Sequence, residues 1–458
     1  MYNGSQESLL PHLISKELFQ VFDEAALRDL EHELEWVEVT EGEALFHQGE
    51  IGDSMYVLVR GRLGVTVRHS DGNSQIVDTL KPGAPVGEIA LLTGHLRTAS
   101  VHALEDAGLI RLSRESLARL AATHPQAMST LAKSIVPRLQ QAQLAQALLG
   151  LFGTLRPEVL EDLQAEFEWR HLSTGEELFH QGAPARALYV VVTGRLRFVL
   201  ENPDGSPRAT GEMGPGESVG EVALLTGEPR SATVYAVRET DVVRLTRERF
   251  ESLAERHPQT MLHIAGHITR RLMQTIRAAP GATVRPTTFA ILPLTNHSQL
   301  VEITQRLVET LGRFGPTLHL NSERFNVYFG GNDVAQTDED HPSDVALRGW
   351  LSRQESRHQY ILYEADNSWT PWTQRCLRQS DRILLVAEAG TRPHLGEVGA
   401  AIQRMERPPH VELLLLQPPG QARAAETEKW LALGPFRAHH HVRVEQREDV
   451  TRVARRMT

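Results

Sequence analysis

LFHQGEIGDSMYVLVRGRL, from Leu45 to Leu63, returns as LFHQGAPARALYVVVTGRL, from Leu178 to Leu196, an offset of 133 residues. The same offset carries VGEIALLTGHLRTASV, Val86 to Val101, onto VGEVALLTGEPRSATV, Val219 to Val234. It also joins Trp36 to Trp169, Gly72 to Gly205, Gly83 to Gly216 and His124-Pro125 to His257-Pro258. Solenoid repeats have periods of roughly 20–50 residues, so this spacing marks a duplicated domain. Within each copy, runs rich in Val, Leu and Tyr are separated by glycine turns such as Arg60-Gly61, Asp71-Gly72 and Asp204-Gly205. That pattern predicts short strands closing a small barrel or sandwich. Three- and four-residue apolar spacing predicts helices over Leu117–Leu149 and Phe250–Ile276, with Pro137 expected to kink or break the first.

The chain has 458 residues, room for about three domains. Hydrophobic residues are 41% and charged residues 23%, which excludes disordered, collagenous and low-complexity classes. A net charge of -10 supplies no global field toward nucleic acid or anionic lipid, and no DNA partner is expected. Cys376 is the single cysteine, so no intramolecular disulfide can form and a reducing compartment is expected. The start has neither a basic n-region nor a long apolar h-region, and no run approaches 18 apolar residues; cytoplasmic is the expected location.

The densest chemistry lies in Gly220-Glu221-Val222-Ala223-Leu224-Leu225 and the following Pro229-Arg230-Ser231-Ala232. A glycine admits close backbone approach, and the first N–H groups of a short helix suit an anion. An arginine ten residues on offers a planar fork for two phosphate oxygens. A carboxylate beside a phosphate needs another partner, and a sugar hydroxyl would serve Glu221. Phosphate and ribose together point to a nucleotide.

On these residues the two copies resemble cyclic nucleotide-binding domains, over about 17–145 and 150–277. The GE-x-A-L then PR-x-A pattern resembles that family's phosphate-binding cassette. The resemblance implies two jelly-roll-like β-barrels with flanking helices, and cyclic AMP or cyclic GMP as regulatory ligand. It implies that Arg97 and Arg230 hold the cyclic phosphate and Glu88 and Glu221 the ribose 2'-hydroxyl, with Gly87, Thr98, Ala99, Gly220, Ser231 and Ala232 lining the cassettes. The first copy has His95-Leu96 where the second has Glu228-Pro229, so its loop lacks the proline. His47 and His180, in matched LFHQG turns, read as structural, and no metal or further cofactor is expected. His439-His440-His441 reads as a solvated strand end, since three neighbours cannot all face one ion.

After a linker at 278–286, residues 287–458 alternate apolar strands with helices, predicting an α/β, Rossmann-like domain with a mainly parallel sheet. Expected strands are Phe289–Leu294, Pro316–Leu320, Gln359–Ala365, Arg382–Glu388, His410–Gln417 and His440–Glu445. Thr370-Pro371 fits an N-cap and first helical position before Trp372–Gln379. No G-x-x-x-x-G-K-[ST], G-x-S-x-G or G-x-G-x-x-G is present, Gly330-Gly331 is too weak a signal, and Trp369 and Trp372 read as packing.

The stretches FAILPL, RFGPTLHLNSE and WLSRQESRHQYILYEADNSWTPWTQRCLRQSDRILLVAE resemble the region before the hydrolase in the neuropathy target esterase family of patatin-like phospholipases. The resemblance implies a regulatory portion acting on a lysophospholipase domain, in cis in a longer chain or in trans if complete. No catalytic residue is expected in this chain, and any membrane association would be peripheral, through the hydrolase partner. Two other readings stand beside it: a ligand-silent scaffold of duplicated barrels, and an unrecognised enzyme in the α/β domain, for which no residue constellation speaks.

Overall fold

The computed structural model describes residues 28–258 and 287–457 apart from short stretches, the longest being 69–73, 89–96, 153–156 and 418–426, together with position 266. The first copy forms strands β1 (Leu34–Val39), β2 (Ala44–Phe46), β3 (Ser54–Arg60), β4 (Leu63–Arg68), β5 (Ser74–Leu80), β6 (Pro85–Val86), β7 (Ser100–Ala103) and β8 (Ala107–Ser113). They make two antiparallel sheets, ordered β1-β8-β3-β6 and β2-β7-β4-β5. The second copy repeats this with β9 (Glu168–Leu172), β10 (Glu177–Phe179), β11 (Ala187–Thr193), β12 (Leu196–Glu201), β13 (Pro207–Met213), β14 (Ser218–Val219), β15 (Thr233–Ala236) and β16 (Thr240–Thr246). Its sheets are β14-β11-β16-β9 and β10-β15-β12-β13.

Inward-facing residues of the two sheets fill each barrel: Leu58, Leu63 and Leu109 in the first, Val191, Leu196 and Val242 in the second. Strand β11, ALYVVVT, is buried along its whole length because its outer face is covered as well. Leu144 and Leu148 of the Pro125–Phe152 helix, with Leu160 of the next helix, pack there on Val190 and Val243. That helix follows the first barrel in sequence yet builds the core of the second. Pro137 sits inside it without ending it, so of the expected kink or break the break does not occur. The break falls earlier, between the Arg114–Thr123 helix and Pro125, where proline at a helix start loses no hydrogen bond. A single missing N–H at position 137 costs one rung, which the helix's buried face outweighs. The expected helix after the second barrel is described only as Arg247–Arg256, and most of Phe250–Ile276 and the whole linker lie outside the described residues.

The third domain is a sheet of six strands, β17 (Thr287–Pro293), β18 (Thr317–Leu320), β19 (Tyr360–Glu364), β20 (Arg382–Glu388), β21 (His410–Leu416) and β22 (Ala438–Val442). Their order is β18-β19-β17-β20-β21-β22, and every pairing is parallel. Continuous apolar strands such as ILLVA fit burial on both faces by helices. Thr370 caps the Pro371–Arg378 helix by accepting from Thr373 N, and Trp372, fully buried, donates Nε1–H to Glu364 O at 2.9 Å. Cys376 is buried in the same helix. Gly330 and Gly331 lie outside the described residues.

The last strand starts two residues before its expected position and ends at Val442, which changes the reading of the three histidines. They sit within the strand, and alternation turns His440 inward, where it donates to Glu412 at 2.9 Å, while His439 stays exposed. This replaces the solvated strand end expected from sequence.

The second barrel docks against the amino ends of β17 and β20. Fully buried Arg238 meets Glu355 and Asp381, while Arg348 lies 3.4 Å from Asp241 and 2.9 Å from Asp344. The opposite, carboxyl edge of the sheet holds a cavity of about 200 Å³ lined by Leu294, Asp366, Trp369, His394 and Glu397.

Candidate functional site

In the second barrel β14 delivers the chain to Gly220, which caps the short helix Glu221–Thr226 with φ of 85°. Two constraints demand glycine here. The left-handed φ is one, and a Cβ would stand 2.1 Å from Arg230 Nη1. Arg230 Nη1 donates to Gly220 O at 3.0 Å and Nη2 to Ala187 O at 2.5 Å. The guanidinium carbon lies 4.1 Å from the centre of the Phe179 ring and 5.9 Å from that of Tyr189. The main chain is pinned too: Arg230 N donates to Ala183 O, and Gly182 N to Arg230 O, both at 2.8 Å.

The first barrel reproduces this arrangement. Gly87 has φ of 80°, and a Cβ there would meet Arg97 Nη1 at 2.3 Å. Arg97 Nη1 donates to Gly87 O at 3.0 Å and Ser54 O at 2.7 Å, and Nη2 to Ser54 Oγ at 3.2 Å. Its guanidinium carbon stands 4.1 Å over Phe46. The matched LFHQG turn is tied to it by Arg97 N to Glu50 O and Gly49 N to Arg97 O. That explains why the turn repeats so closely in sequence: its backbone, rather than its histidine, anchors the arginine.

Both arginines are buried, as are Glu88 and Glu221. Burial pulls the Arg230 guanidinium below its ordinary pKa, against the opposing pull of Tyr189 and Glu221. Arg97 is lowered by the same cause, opposed by Tyr56, Asp53, Glu50 and Glu88. In each, Nε is buried and donates to no partner among the described residues. A cation short of counter-charge, with an unused donor, is a site for an anion.

Ala99 is buried, Ala232 half-buried and Ser231 exposed, all beside their arginines in sequence. Thr98 and the His95-Leu96 pair lie outside the described residues. The aromatic floor, Phe46 with Tyr56 and Phe179 with Tyr189, went unread from sequence. Its signal was present, since these four sit at matched positions of the quoted repeat. Among the described residues the cluster that could approach a metal is His171, Glu239 and Glu339, but His171 bonds Asp241 at 2.8 Å and Glu239 pairs with Arg378. Arginine already supplies the positive charge there.

A profile described as cyclic nucleotide-binding domain matches residues 36–124 and 169–257, and one described as neuropathy target esterase family P-loop like domain matches 286–458. The chain is 29% identical to neuropathy target esterase sws of Drosophila willistoni, over 83% of this chain and 25% of that protein. It is 28% identical to patatin-like phospholipase domain-containing protein 6 of Homo sapiens, over 89% of this chain and 29% of that protein. The chain thus spans under a third of the curated relatives' length. A structure of the regulatory domain of Toxoplasma gondii PKA with cAMP is 21% identical, with 60% of this chain and 98% of that one covered and a TM-score of 0.26. Among the described residues no helix is long and apolar enough to cross a membrane. The chain carries two cyclic nucleotide-binding domains followed by the P-loop-like domain of the neuropathy target esterase family.

Proposed function

We propose that this chain is the cyclic-nucleotide-responsive regulatory portion of a patatin-like lysophospholipase, with cyclic AMP or cyclic GMP as ligand and the hydrolase domain as its partner in cis or in trans. The observation that carries the ligand is the pair of buried arginines, each held by backbone carbonyls and an aromatic ring, with Nε left unused among the described residues. A guanidinium so fixed pays little ordering entropy when a phosphate arrives. Arg97 and Arg230 would take the cyclic phosphate, Glu88 and Glu221 the ribose 2'-hydroxyl, with Gly87, Thr98, Ala99, Gly220, Ser231 and Ala232 shaping the cassettes. We place the domains at 17–145, 150–277 and 287–458, joined by 278–286. The chain would act in the cytoplasm without chemistry of its own.

Thermal unfolding tests this directly. A ligand bound only to the folded state adds about 2.7 kcal/mol at a hundredfold excess over Kd. Arg230→Ala should lower affinity at the second site about 30-fold or more, equivalent to a loss of roughly 2 kcal/mol. If neither cyclic nucleotide moves the melting curve at millimolar concentration, the ligand-silent scaffold replaces this reading.

A further inference from the structure

The two barrels part company at one turn. Between β15 and β16 the second copy carries Arg238-Glu239; at the same offset the first carries Glu105-Asp106. In the first barrel this turn is on the surface, where Glu105 pairs with exposed Arg62 at 3.3 Å. In the second it is buried inside the α/β domain. Arg238 meets Glu355 and both oxygens of Asp381, at 2.9 and 3.2 Å, with Arg195 a further 3.6 Å from Asp381. Glu239 pairs with Arg378 and accepts from Gln379 at 3.2 Å. Asp241 accepts from Thr193 at 2.8 Å and faces Arg348, which with Arg375 holds Asp344.

Five arginines, 195, 238, 348, 375 and 378, thus meet carboxylates 239, 241, 344, 355 and 381, with Glu212 and Glu339 pairing at the edges. Buried charges tolerate only the geometry that pairs them, so this contact admits one seating. An apolar interface of the same size could slide.

The turn is also the far end of the cassette. From Ala232, only β15 separates the Arg230 loop from Val237. That strand is fixed on both sides: it pairs with β10 and β12, Ala236 N donates to Glu176 O, and Val237 N to Arg195 O, each at 2.9 Å. A four-residue strand so held transmits a displacement rather than absorbing it.

We propose that β15 is a rigid link coupling the second cassette to the seating of the α/β domain, a connection absent among the described residues of the first barrel. The seated domain holds the turn that holds Arg230 in register, so docking favours nucleotide binding and, by reciprocity, nucleotide strengthens docking. The inference rests on the reading of the cassette as a cyclic-nucleotide site.

Hydrogen exchange on the full chain, with and without saturating cyclic AMP or cyclic GMP, decides it. Exchange in residues 344–357 and 378–382 should slow about fivefold or more on binding, the lower end of ordinary couplings. In an Arg97→Ala background, which isolates the second site, Glu355→Gln should weaken nucleotide affinity by a similar factor and abolish the remote protection. Should Glu355→Gln fail to fold, Gln379→Ala, which removes the side-chain donor to Glu239 without removing a charge, takes its place. Protection confined to 220–232 in the wild type would overturn the coupling while leaving the nucleotide reading intact. No binding at millimolar nucleotide would overturn both.

Discussion

At the scale of single residues, Gly87 and Gly220 are held by geometry that no other side chain meets. Their φ values of 80° and 85° are one constraint, and the arginine nitrogen that a Cβ would strike is the other. Gly220→Ala should therefore push Arg230 off the Gly220 carbonyl and misalign it over Phe179. Backbone strain of this kind costs of order 1–3 kcal/mol, and nucleotide affinity at the second site should fall about tenfold or more. Titration calorimetry reads it; unchanged affinity would mean that Arg230 does not need the glycine's space. Glu412 offers a test away from the cassette. Burial alone would raise its carboxyl, but hydrogen bonds from His440 and Arg382, with the charge of Arg382, hold it at about 2. A depressed folded-state pKa stabilises above the ordinary value of 4.5 and is lost as pH falls from there toward 2. The wild type should lose up to roughly 3 kcal/mol over that window, and Glu412→Gln should flatten that acid limb. Parallel acid curves for the two proteins would remove Glu412 from the account.

Elements show which signals a sequence exposes. The cassette was legible because it is written twice, and what survives between two copies of one barrel is the arginine, its glycine and the turn that anchors it. The parallel sheet was legible from apolar runs alone, all six of which form strands. The last strand was misplaced because HVRV looks more strand-like than AHHH, whereas the buried His440–Glu412 bond sets the register. Pro137 shows a related effect: local propensity argued for a kink or a break, and packing of Leu144, Leu148 and Leu151 against the second barrel prevents the break. A proline in a helix interior remains costly, by up to about 3 kcal/mol relative to alanine. Its side chain is exposed, so Pro137→Ala should restore one rung without disturbing the core. The expected outcome is a rise in the transition that reports the helix, together with slower exchange over 136–142. A fall in stability would show that the helix needs its proline.

For the whole molecule, the arrangement of domains was the least legible part, because the contacts that fix it join residues far apart in the chain: Arg238 to Glu355 across 117 positions and to Asp381 across 143. No periodicity reports such a pair. One hint lay in the repeat itself, where Arg238 stands against Glu105, a reversal of charge between otherwise matched turns. The physical consequence is testable by comparing a broken pair with a replaced one. Removing one partner of a buried ion pair leaves the other uncompensated and costs about 3–5 kcal/mol, whereas replacing both by apolar groups of similar size is often neutral. Arg238→Ala should therefore separate the unfolding of the second barrel from that of the α/β domain in calorimetry, where the wild type is expected to unfold the two together. Arg238→Met combined with Glu355→Met should restore the joint transition, since Arg195 and Asp381, 3.6 Å apart, still balance each other. Because the pairs are buried, the wild-type transition should also change little as salt rises, unlike one held by exposed charges. If Arg238→Ala keeps a single, unshifted transition, the ion pairs do not hold the domains together, and the docking must then rest on other contacts of the same face, among them Thr174 Oγ1 with Arg378 O and Arg407 with Glu177.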